Sequence, residues 1–501
     1  MKLKTILGIF FIFYFIAFVQ AWEKDNPTPY EKNIKTTPNV NKASDLSQTQ
    51  TPKVTAKTLL DKTPTSGTIL KESIDKETGA IILELSNGAK VILKNTARYD
   101  NFQRDRVILN GLAKGGTMAV TNKDDIPSAR FVSDTIDNWL YIYDNSTDKD
   151  VSFCVNIDAF ERCIGGSSPV EDIKELFELI YLKFAKQHVD LTIVKNLIES
   201  YKKAFYKESA PSIIINKILY NNPHFYTANS NNYSRSDFLI LASWHEHDKY
   251  FQTSDCSKII PERMLKFLKK CFNPADFIFV FVGEIDVEIF KTYIKNYIAS
   301  IPISQTLTNQ KFARPKPSKH EIYTDDKDKT GVRMSWVIEK KYSQKLKVTS
   351  KVLEAYINII LNAPHYEPKC GVFLNPFYDE LCANIRSDWD DSIKPNEHIA
   401  NVFKHMHNIA KGKIVMDIFS KAKKAVRGLY KNDVNDTDDY AMADSYACSA
   451  VWHNAPLSEF EKFPLVCQAI SKKDLKDLAL RLLKGKYYQI IVYPEKFRGA
   501  K

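Results

Sequence analysis

Two stretches of the sequence, about 200 residues apart, follow the same order of patterns. In each, an amphipathic helical pattern (Met264–Phe272 and Leu475–Leu483) is followed by a short polar break. A strand rich in aromatic and aliphatic residues comes next, at 276–282 and at 487–493. Self-similarity at a fixed separation is typical of a duplicated structural unit. We therefore predict two copies of one α+β unit.

Polar segments separate these units. Residues 23–64 are rich in Thr, Pro, Asn and Lys and contain few large apolar residues, which predicts a flexible linker. Residues 303–328 are again polar and contain proline, which indicates a boundary between two lobes. The predicted organisation is a signal peptide (1–21), a disordered linker (22–66), lobe 1 (67–302), an inter-lobe linker (303–328) and lobe 2 (329–501).

Within lobe 1, a hairpin and then several helices are predicted. Asn87-Gly88 lies between two apolar runs, which is a strong indicator of a tight β-hairpin. Ser168-Pro169-Val170-Glu171 has the pattern of a capping box and predicts the start of a helix. Further predicted elements are a strand at 107–112, helices from Asp190 and after Pro261, the strand at 276–282 and a helix at 287–299.

Lobe 2 shows a similar order of elements. We predict a strand at 332–338, a long helix from 343 to 361 and a strand region at 381–389. Several helices and the strand at 487–493 complete the lobe.

The N-terminus has the three-part layout of a secretory signal peptide. Lys2 and Lys4 precede an apolar run of 14 residues, 6–19, and Val19-Gln20-Ala21 offers a cleavage site. A spanning helix needs roughly 20 residues, although a retained anchor is the alternative. No later stretch is apolar enough to span a bilayer, so we expect an exported protein, periplasmic or secreted, without a membrane span after cleavage. Nothing resembles a nucleic-acid motif.

Eight cysteines follow the predicted signal peptide, and an even number in an exported chain is compatible with disulfides. Cys154 with Cys163, and Cys256 with Cys271, are close enough in sequence to form local bridges. Buried thiols are the alternative for each pair, because a chain of this size does not depend on disulfides. No C-x-x-C pair is present, which argues against a zinc ribbon.

Four phrases of the sequence resemble the M16 (pitrilysin- and insulinase-like) family of zinc metallopeptidases. The resemblance concerns in particular the catalytically inactive C-terminal half of long, exported bacterial members. It implies an α+β fold of two homologous M16-type lobes, each an antiparallel β-sheet with helices packed on one face. The phrases are Leu85–Lys94, Gly111–Thr117, Glu175–Phe184 and Phe272–Asp286, of which the last is the most specific.

Active members of this family carry H-x-x-E-H on a helix, in which the histidines bind zinc and the glutamate is the general base. This motif is absent from the sequence. By resemblance, Arg130 stands at the first histidine, Ser133 at the glutamate and Asp134 at the second histidine. Arginine is a permanent cation and cannot bind zinc. The resemblance therefore implies that no residue is catalytic and that no cofactor is bound.

Other histidines offer weaker metal-binding patterns. His245-Glu246-His247-Asp248 contains ligand types at a spacing that favours one face only in a strand, and a polar surface corner is the simpler interpretation. His398 and His405 lie on the polar side of a predicted helix that also carries His407. In the second lobe, the family's substrate-contacting Arg and Tyr correspond to Tyr378 and Ile385, with Arg386 adjacent.

The resemblance implies a non-catalytic M16 homologue that binds peptides and partners a separately encoded H-x-x-E-H subunit. One alternative is an active zinc-dependent metalloendopeptidase that uses an unorthodox ligand set such as His245, Glu246, His247 and Asp134. The other alternative is a free-standing peptide-binding or scaffold protein.

Overall fold

Each half of the chain builds one β-sheet, and five strands have the same order in both. The structure is a computed structural model. It describes residues 59–96, 105–122, 124–129, 131–133, 150–158, 161–185, 194–196, 198–199, 259–307, 319–324, 331–339, 342–361, 369–375, 380–388, 395–432, 438–485 and 487–494.

The sheet of lobe 1 has seven strands. They are β1 (Ile69–Ile74), β2 (Ile81–Leu85), β3 (Lys90–Asn95), β4 (Arg106–Lys114), β5 (Ser152–Ile157), β6 (Glu161–Pro169) and β7 (Phe277–Gly283). Their order in space is β1-β2-β3-β7-β4-β6-β5. Only the β3–β7 pair is parallel.

The sheet of lobe 2 has five strands. They are β8 (Lys319–Thr324), β9 (Gly331–Glu339), β10 (Lys369–Asn375), β11 (Glu380–Asp388) and β12 (Tyr487–Pro494). The order β8-β12-β9-β11-β10 repeats β3-β7-β4-β6-β5 strand for strand, and again only the first pair is parallel.

The predicted α+β fold with two homologous lobes is therefore confirmed. Each sheet is antiparallel except for one pair, because its last strand returns through helices to lie beside β3 in lobe 1 and beside β8 in lobe 2. Such a crossover connection allows parallel pairing.

The hairpin of β2 and β3 forms where Asn87-Gly88 predicts it. Gly88 has a φ of 83°, a conformation that favours glycine. The Asn87 side chain is buried and donates to the carbonyls of Ile298 and Ile301 at 2.7 and 3.1 Å. The turn residue thus also ties the hairpin to a distant part of lobe 1.

Three helices that follow the hairpins of lobe 1 lie entirely within the described residues. They are α1 (Ile173–Ala185), α2 (Pro261–Cys271) and α3 (Val287–Tyr293), the last continued by a π-helical turn at Ile294–Ile298. These helices bury one face of the sheet, which we call the own-helix face. A Cβ on Gly166 would lie 2.9 Å from the Leu176 side chain, so α1 packs closely on β6 only because the strand has glycine there.

The predicted capping box at Ser168 is wrong. Strand β6 continues to Pro169, a 3-10 turn follows at Val170–Asp172, and no side chain caps it. The Ser168 hydroxyl donates to the Pro169 carbonyl instead. Pairing of β6 with β4 extends through this segment and outweighs the local capping preference.

Lobe 2 contributes six helices within the described residues. They are α4 (Gln344–Ile360), α5 (Pro395–Ala410), α6 (Met416–Asn432), α7 (Asp438–Cys448), α8 (Glu459–Ala469) and α9 (Lys472–Lys484). Helix α7 continues as a π-helical turn, Ser449–His453. Helices α4, α5, α6, α8 and α9 form a second apolar core.

Helix α7 packs on the sheet of lobe 1 rather than on its own lobe. Met442, Ala443 and Tyr446 lie in one buried cluster with Ile92 of β3 and Ile108 of β4, on the side opposite to the own-helix face. We call this side the lobe-2 face. The sheet of lobe 1 therefore has helices on both faces, whereas the sequence predicted them on one.

The chain joins lobe 1 earlier than predicted. Leu60, which falls in the predicted linker, is buried in the core of lobe 1. Residues 56–501 belong to one compact unit. The predicted signal peptide lies outside the described residues. In the described part of the chain, no helix is both long and apolar enough to cross a bilayer.

Candidate functional site

The segment at the position of the expected metal motif is a buried helix in lobe 1. Residues 126–129 and 131–133 are helical. Their apolar side chains point into the core, namely Ile126, Ala129, Phe131 and Val132. Arg130 and Asp134 lie outside the described residues. The local pattern therefore serves packing at these four positions.

Two serines fix this helix to neighbouring elements. The Ser133 hydroxyl, at the position of the family's glutamate, donates to the Ile157 carbonyl at the end of β5. Ser128 is fully buried, and its hydroxyl accepts from the Ile260 N–H at 3.0 Å, just before α2. A serine hydroxyl held in this way cannot act as a general base at neutral pH.

A buried arginine of β6, Arg162, lies opposite the end of β4, where the chain leaves the sheet toward this helix. The Arg162 side chain is 1% exposed and donates to Asp276 at 3.0 Å. It also donates to the Gly115 and Cys271 carbonyls at 2.7 and 2.9 Å, and to the Lys114 carbonyl. With a further bond to the Lys270 carbonyl at 3.3 Å, all five N–H donors of the guanidinium are used. Arg162 therefore joins strand and helix ends and has no donor left for a ligand.

Glu161, the residue before Arg162, lies on the lobe-2 face of the sheet. Glu161 is buried and accepts from the Trp452 indole N–H at 2.6 Å, a contact between the lobes. Lys114 lies opposite Glu161 in the β4–β6 ladder, and its ammonium is 5.2 Å from the centroid of the Trp452 ring. Burial lowers the pKa of Lys114.

In lobe 2 two of the three predicted contact residues lie on β11, between the edge strand β10 and β9. Ile385 is opposite Cys370 of β10 on one side and Met334 of β9 on the other. Arg386 is opposite Lys369 and Arg333, so three cationic residues share one level of the ladder. Tyr378 lies outside the described residues. The structure thus places Ser133 on a helix of lobe 1 and Arg386 on a strand of the lobe 2 sheet.

No three His, Cys, Asp or Glu residues in the described part of the chain are grouped so that they could hold a metal ion. His245, Glu246, His247 and Asp248 lie outside that part. His405 of α5 is half-buried rather than solvated, and burial followed by the charge of Lys404 lowers its pKa. His407 of the same helix is exposed.

The cysteines that can be placed are thiols. Cys154 is opposite Gly165 and Cys163 is opposite Asn156, so the two cysteines are diagonal neighbours on β5 and β6. Diagonal pairs are about 7–8 Å apart, beyond ordinary disulfide geometry. Of the two alternatives for Cys154 and Cys163, the structure has thiols rather than a bridge. Cys271 is a buried thiol whose pKa is raised to about 12 by burial, and Cys256 lies outside the described residues.

Comparison with known proteins agrees with this architecture. Residues 258–426 match the family model described as the peptidase M16 inactive domain. The chain resembles the M16 family. The M16 match includes the end of lobe 1, the predicted inter-lobe linker and lobe 2 as far as α6. None of the curated proteins matches the chain significantly.

Solved structures of M16-like proteins share the fold at low identity. The ferredoxin protease FusC, solved in complex with Arabidopsis ferredoxin, has a TM-score of 0.66 at 14% identity, over 92% of this chain and 51% of FusC. The periplasmic protease PqqL from Escherichia coli has a TM-score of 0.66 at 12% identity, over 88% of this chain and 48% of PqqL. An M16 inactive domain from Pseudomonas fluorescens has a TM-score of 0.60 at 12% identity, over 83% of this chain and 98% of that domain. The chain spans about half the length of FusC and PqqL.

Sequence reasoning missed Arg162 and Trp452, which join parts of the M16-like fold. Arg162 and Ile164 alternate with Glu161 and Cys163 along β6, so a charged residue falls on each buried face. A strand with charges on both faces is a signal of buried ion pairing. The sequence does not show which residues accept these bonds, since Asp276 and Trp452 lie more than 100 positions away.

Proposed function

We propose that this chain is an exported, non-catalytic M16 homologue that pairs with a separately encoded H-x-x-E-H subunit to enclose peptides. The match of residues 258–426 to the M16 inactive domain carries the proposal. The engagement of the Ser133 hydroxyl in a backbone hydrogen bond supports it, since this position has no general base. The span of the chain, about half of FusC and PqqL, fits one half of a two-part enclosure.

The edge strand β5 is the place where we expect a peptide to bind. It is the last strand of the lobe 1 sheet, and it ends at Ile157, beside the helix that carries Ser133. An extended peptide pairs with a sheet edge through main-chain hydrogen bonds, which give affinity without requiring a particular sequence. The proposed role of this chain is thus to hold substrate while the partner supplies zinc chemistry.

Export is part of the proposal. The N-terminal signal pattern at 1–21 supports it, and PqqL, of similar fold, is described as a periplasmic protease. Processing at Ala21 would be seen by intact mass measurement of the protein recovered from the exported fraction.

Zinc content and hydrolysis of the purified chain give the first test. Elemental analysis after dialysis should find essentially no zinc, and the chain alone should not cleave unstructured peptides. Close to one zinc per chain with chelator-sensitive cleavage would instead establish a metallopeptidase with an unorthodox ligand set. His245, His247 and Asp134 would then be the first residues to substitute.

The partner is tested by co-expression with each exported H-x-x-E-H chain of the same genome. We expect a one-to-one complex whose kcat/KM for peptides exceeds that of the partner alone. A glutamine at the motif glutamate of the partner should abolish cleavage, whereas Ser133→Ala in this chain should leave it unchanged. A chain that binds peptides as a monomer and enhances no such subunit would favour the free-standing scaffold.

A further inference from the structure

The net positive charge of the chain is concentrated on helices of lobe 2. The formal net charge is +11. Residues 404–431, from the end of α5 through most of α6, contain eight Lys or Arg and one acidic residue. Residues 472–486, which include α9, contain six Lys or Arg and two acidic residues. These two segments account for the whole excess, so the remainder of the chain is neutral in sum.

Each of the three acidic residues of these segments pairs with one lysine, so none of them offsets the charge of the three lysines described next. The pairs are Asp417–Lys421, Asp477–Lys473 and Asp474–Lys345, each at 2.7 Å. Three exposed lysines surround the loop between α5 and α6. Lys411 and Lys413 belong to the loop, and the stem of Lys476 lies 3.9 Å from a Cβ placed on Gly412. None of these three has an ion-pair partner among the residues that the structure describes.

Two apolar side chains project from the same loop. Val415 and Met416 are 52% and 54% exposed, while the preceding Ile414 is buried in the lobe 2 core. Single exposed apolar residues are common on protein surfaces and need no explanation. Here two are adjacent in sequence and lie within a group of lysines. We call Lys411, Lys413, Val415, Met416 and Lys476 the α5–α6 tip.

The backbone holds this tip in a defined shape. Gly412 has a φ of 79° and donates to the Ile409 carbonyl at 2.8 Å, and Lys413 donates to the Asn408 carbonyl at 2.8 Å. These two bonds form a Schellman motif, which ends α5. The Val415 N–H donates to the hydroxyl of the buried Tyr356 at 2.9 Å. The loop is therefore fixed by its own hydrogen bonds, and the exposure of its apolar pair is built into the turn.

We propose that the α5–α6 tip binds the surface of a bilayer that contains anionic lipids. Val415 and Met416 would enter the boundary between headgroups and acyl chains, and the three lysines would contact lipid phosphates. Apolar insertion combined with basic residues is the usual basis of peripheral membrane binding. The charge is carried mainly by lysines, which are point charges on flexible stems and suit a diffuse anionic surface.

An acidic protein is a less suitable ligand for this tip. A stable protein interface buries about 800 Å² on each partner and requires shape complementarity. Two half-exposed apolar side chains on one turn provide much less, whereas lipid binding gains from each charge without complementarity.

Vesicle sedimentation tests the proposal. The full chain and its variants are prepared identically, so that any contribution of the apolar run 6–19 is common to all. Binding is measured to phosphatidylcholine vesicles with and without phosphatidylglycerol. The increase in the partition coefficient that phosphatidylglycerol causes is the anionic-specific binding, and it is compared between the wild type and the variants. Each lysine at the surface contributes about fivefold, so Lys411→Glu/Lys413→Glu/Lys476→Glu should lower the anionic-specific partition coefficient by at least about 100-fold.

A matched control distinguishes the effect of the tip on vesicle binding from the effect of the net charge. Lys76→Glu/Lys266→Glu/Lys295→Glu reverses three exposed lysines of lobe 1 and changes the net charge equally. This control should retain anionic-specific binding, and unfolding midpoints should show that both triple variants are folded. An equal loss in the two would contradict a localised site, as would no preference for anionic vesicles in the wild type.

The apolar pair is tested separately. Val415→Ser/Met416→Ser should lower vesicle binding by about tenfold, whereas Ile303→Ser/Leu465→Ser, at 64% and 67% exposed positions, should not. Labelled duplex DNA and polyglutamate are run alongside with the lysine variants. If either polymer binds through the tip and vesicles do not, the surface recognises a polyanionic macromolecule and the lipid proposal is wrong.

Discussion

The two faces of the lobe 1 sheet are covered by parts of the chain that lie far apart in sequence, and different interactions hold them. On the own-helix face, aromatic rings dominate. Phe281 of β7 stacks on Phe177 of α1 with ring centroids 5.0 Å apart, and Phe290 of α3 packs edge-on to both. Such packing excludes water from a large area, but it places few requirements on the orientation of the groups in contact.

On the lobe-2 face, polar bonds surround a smaller apolar cluster. Trp452 donates to Glu161, and Thr96 donates to Asp439 at 3.1 Å, both across the lobes. At the edge, Lys462 pairs with Glu77 at 2.7 Å. Directional bonds require particular partners, so they specify how α7 and α8 sit on the sheet. One face therefore stabilises lobe 1, and the other determines the arrangement of the lobes.

Arg162→Leu should have the largest effect, because it acts on the own-helix face. It removes the partner of the buried Asp276 and leaves several carbonyls without donors. Breaking a buried pair in this way costs about 3–5 kcal/mol. Denaturant unfolding of the full chain should show this loss, and Arg162→Leu/Asp276→Leu should recover part of it. A loss below about 1 kcal/mol would show that the guanidinium network is not required.

Trp452→Ala should be next in size and should act on the arrangement of the lobes. It removes a large side chain, 8% exposed, from the lobe-2 face and should cost about 3 kcal/mol. Limited proteolysis should show earlier cleavage between α6 and α7, while β1–β7 stay protected. Simultaneous exposure of both lobes would contradict the separation of roles between the two faces.

Trp452→Phe isolates the hydrogen bond to Glu161. The ring remains but the indole donor is lost, which leaves a buried carboxylate oxygen with one bond fewer. We expect a cost of about 2 kcal/mol in the free energy of unfolding. If Trp452→Phe proves as damaging as Trp452→Ala, hydrogen bonding rather than packing dominates this contact.

The smallest effect is expected at Glu77, on the edge of the lobe-2 face. Hydrogen bonds from Lys462 and then Ser458 lower its pKa below the ordinary value of 4.5. A lowered folded-state pKa means that the stabilisation is present above 4.5 and is lost as the pH falls through the folded-state pKa. The difference in thermal midpoint between wild type and Glu77→Gln should therefore shrink on acidification. A constant difference would rule out the titration of Glu77 as its source.

Local patterns predicted much of the fold. The β2–β3 hairpin follows from Asn87-Gly88, and α4 begins after Ser343, whose hydroxyl accepts from the Leu346 N–H. Of the candidate site, only the loss of the zinc ligands could be predicted, because the absence of H-x-x-E-H can be read directly from the sequence. The bonds of Ser133 and Arg162 could not be predicted, since each joins residues that approach only after the sheet has formed.

The position of the closing strands also affects how the protein can fold as it is made. β7 lies between β3 and β4, and β12 lies between β8 and β9, so neither sheet is continuous until its final strand arrives. Lobe 1 needs β7 for continuity and α7 to cover its second face. A chain that emerges from its N-terminus must therefore keep the edges of β3 and β4 open during synthesis. Such open edges are where unwanted pairing begins, so β3 and β4 stay exposed to it for longer than the strands of a hairpin-by-hairpin fold would.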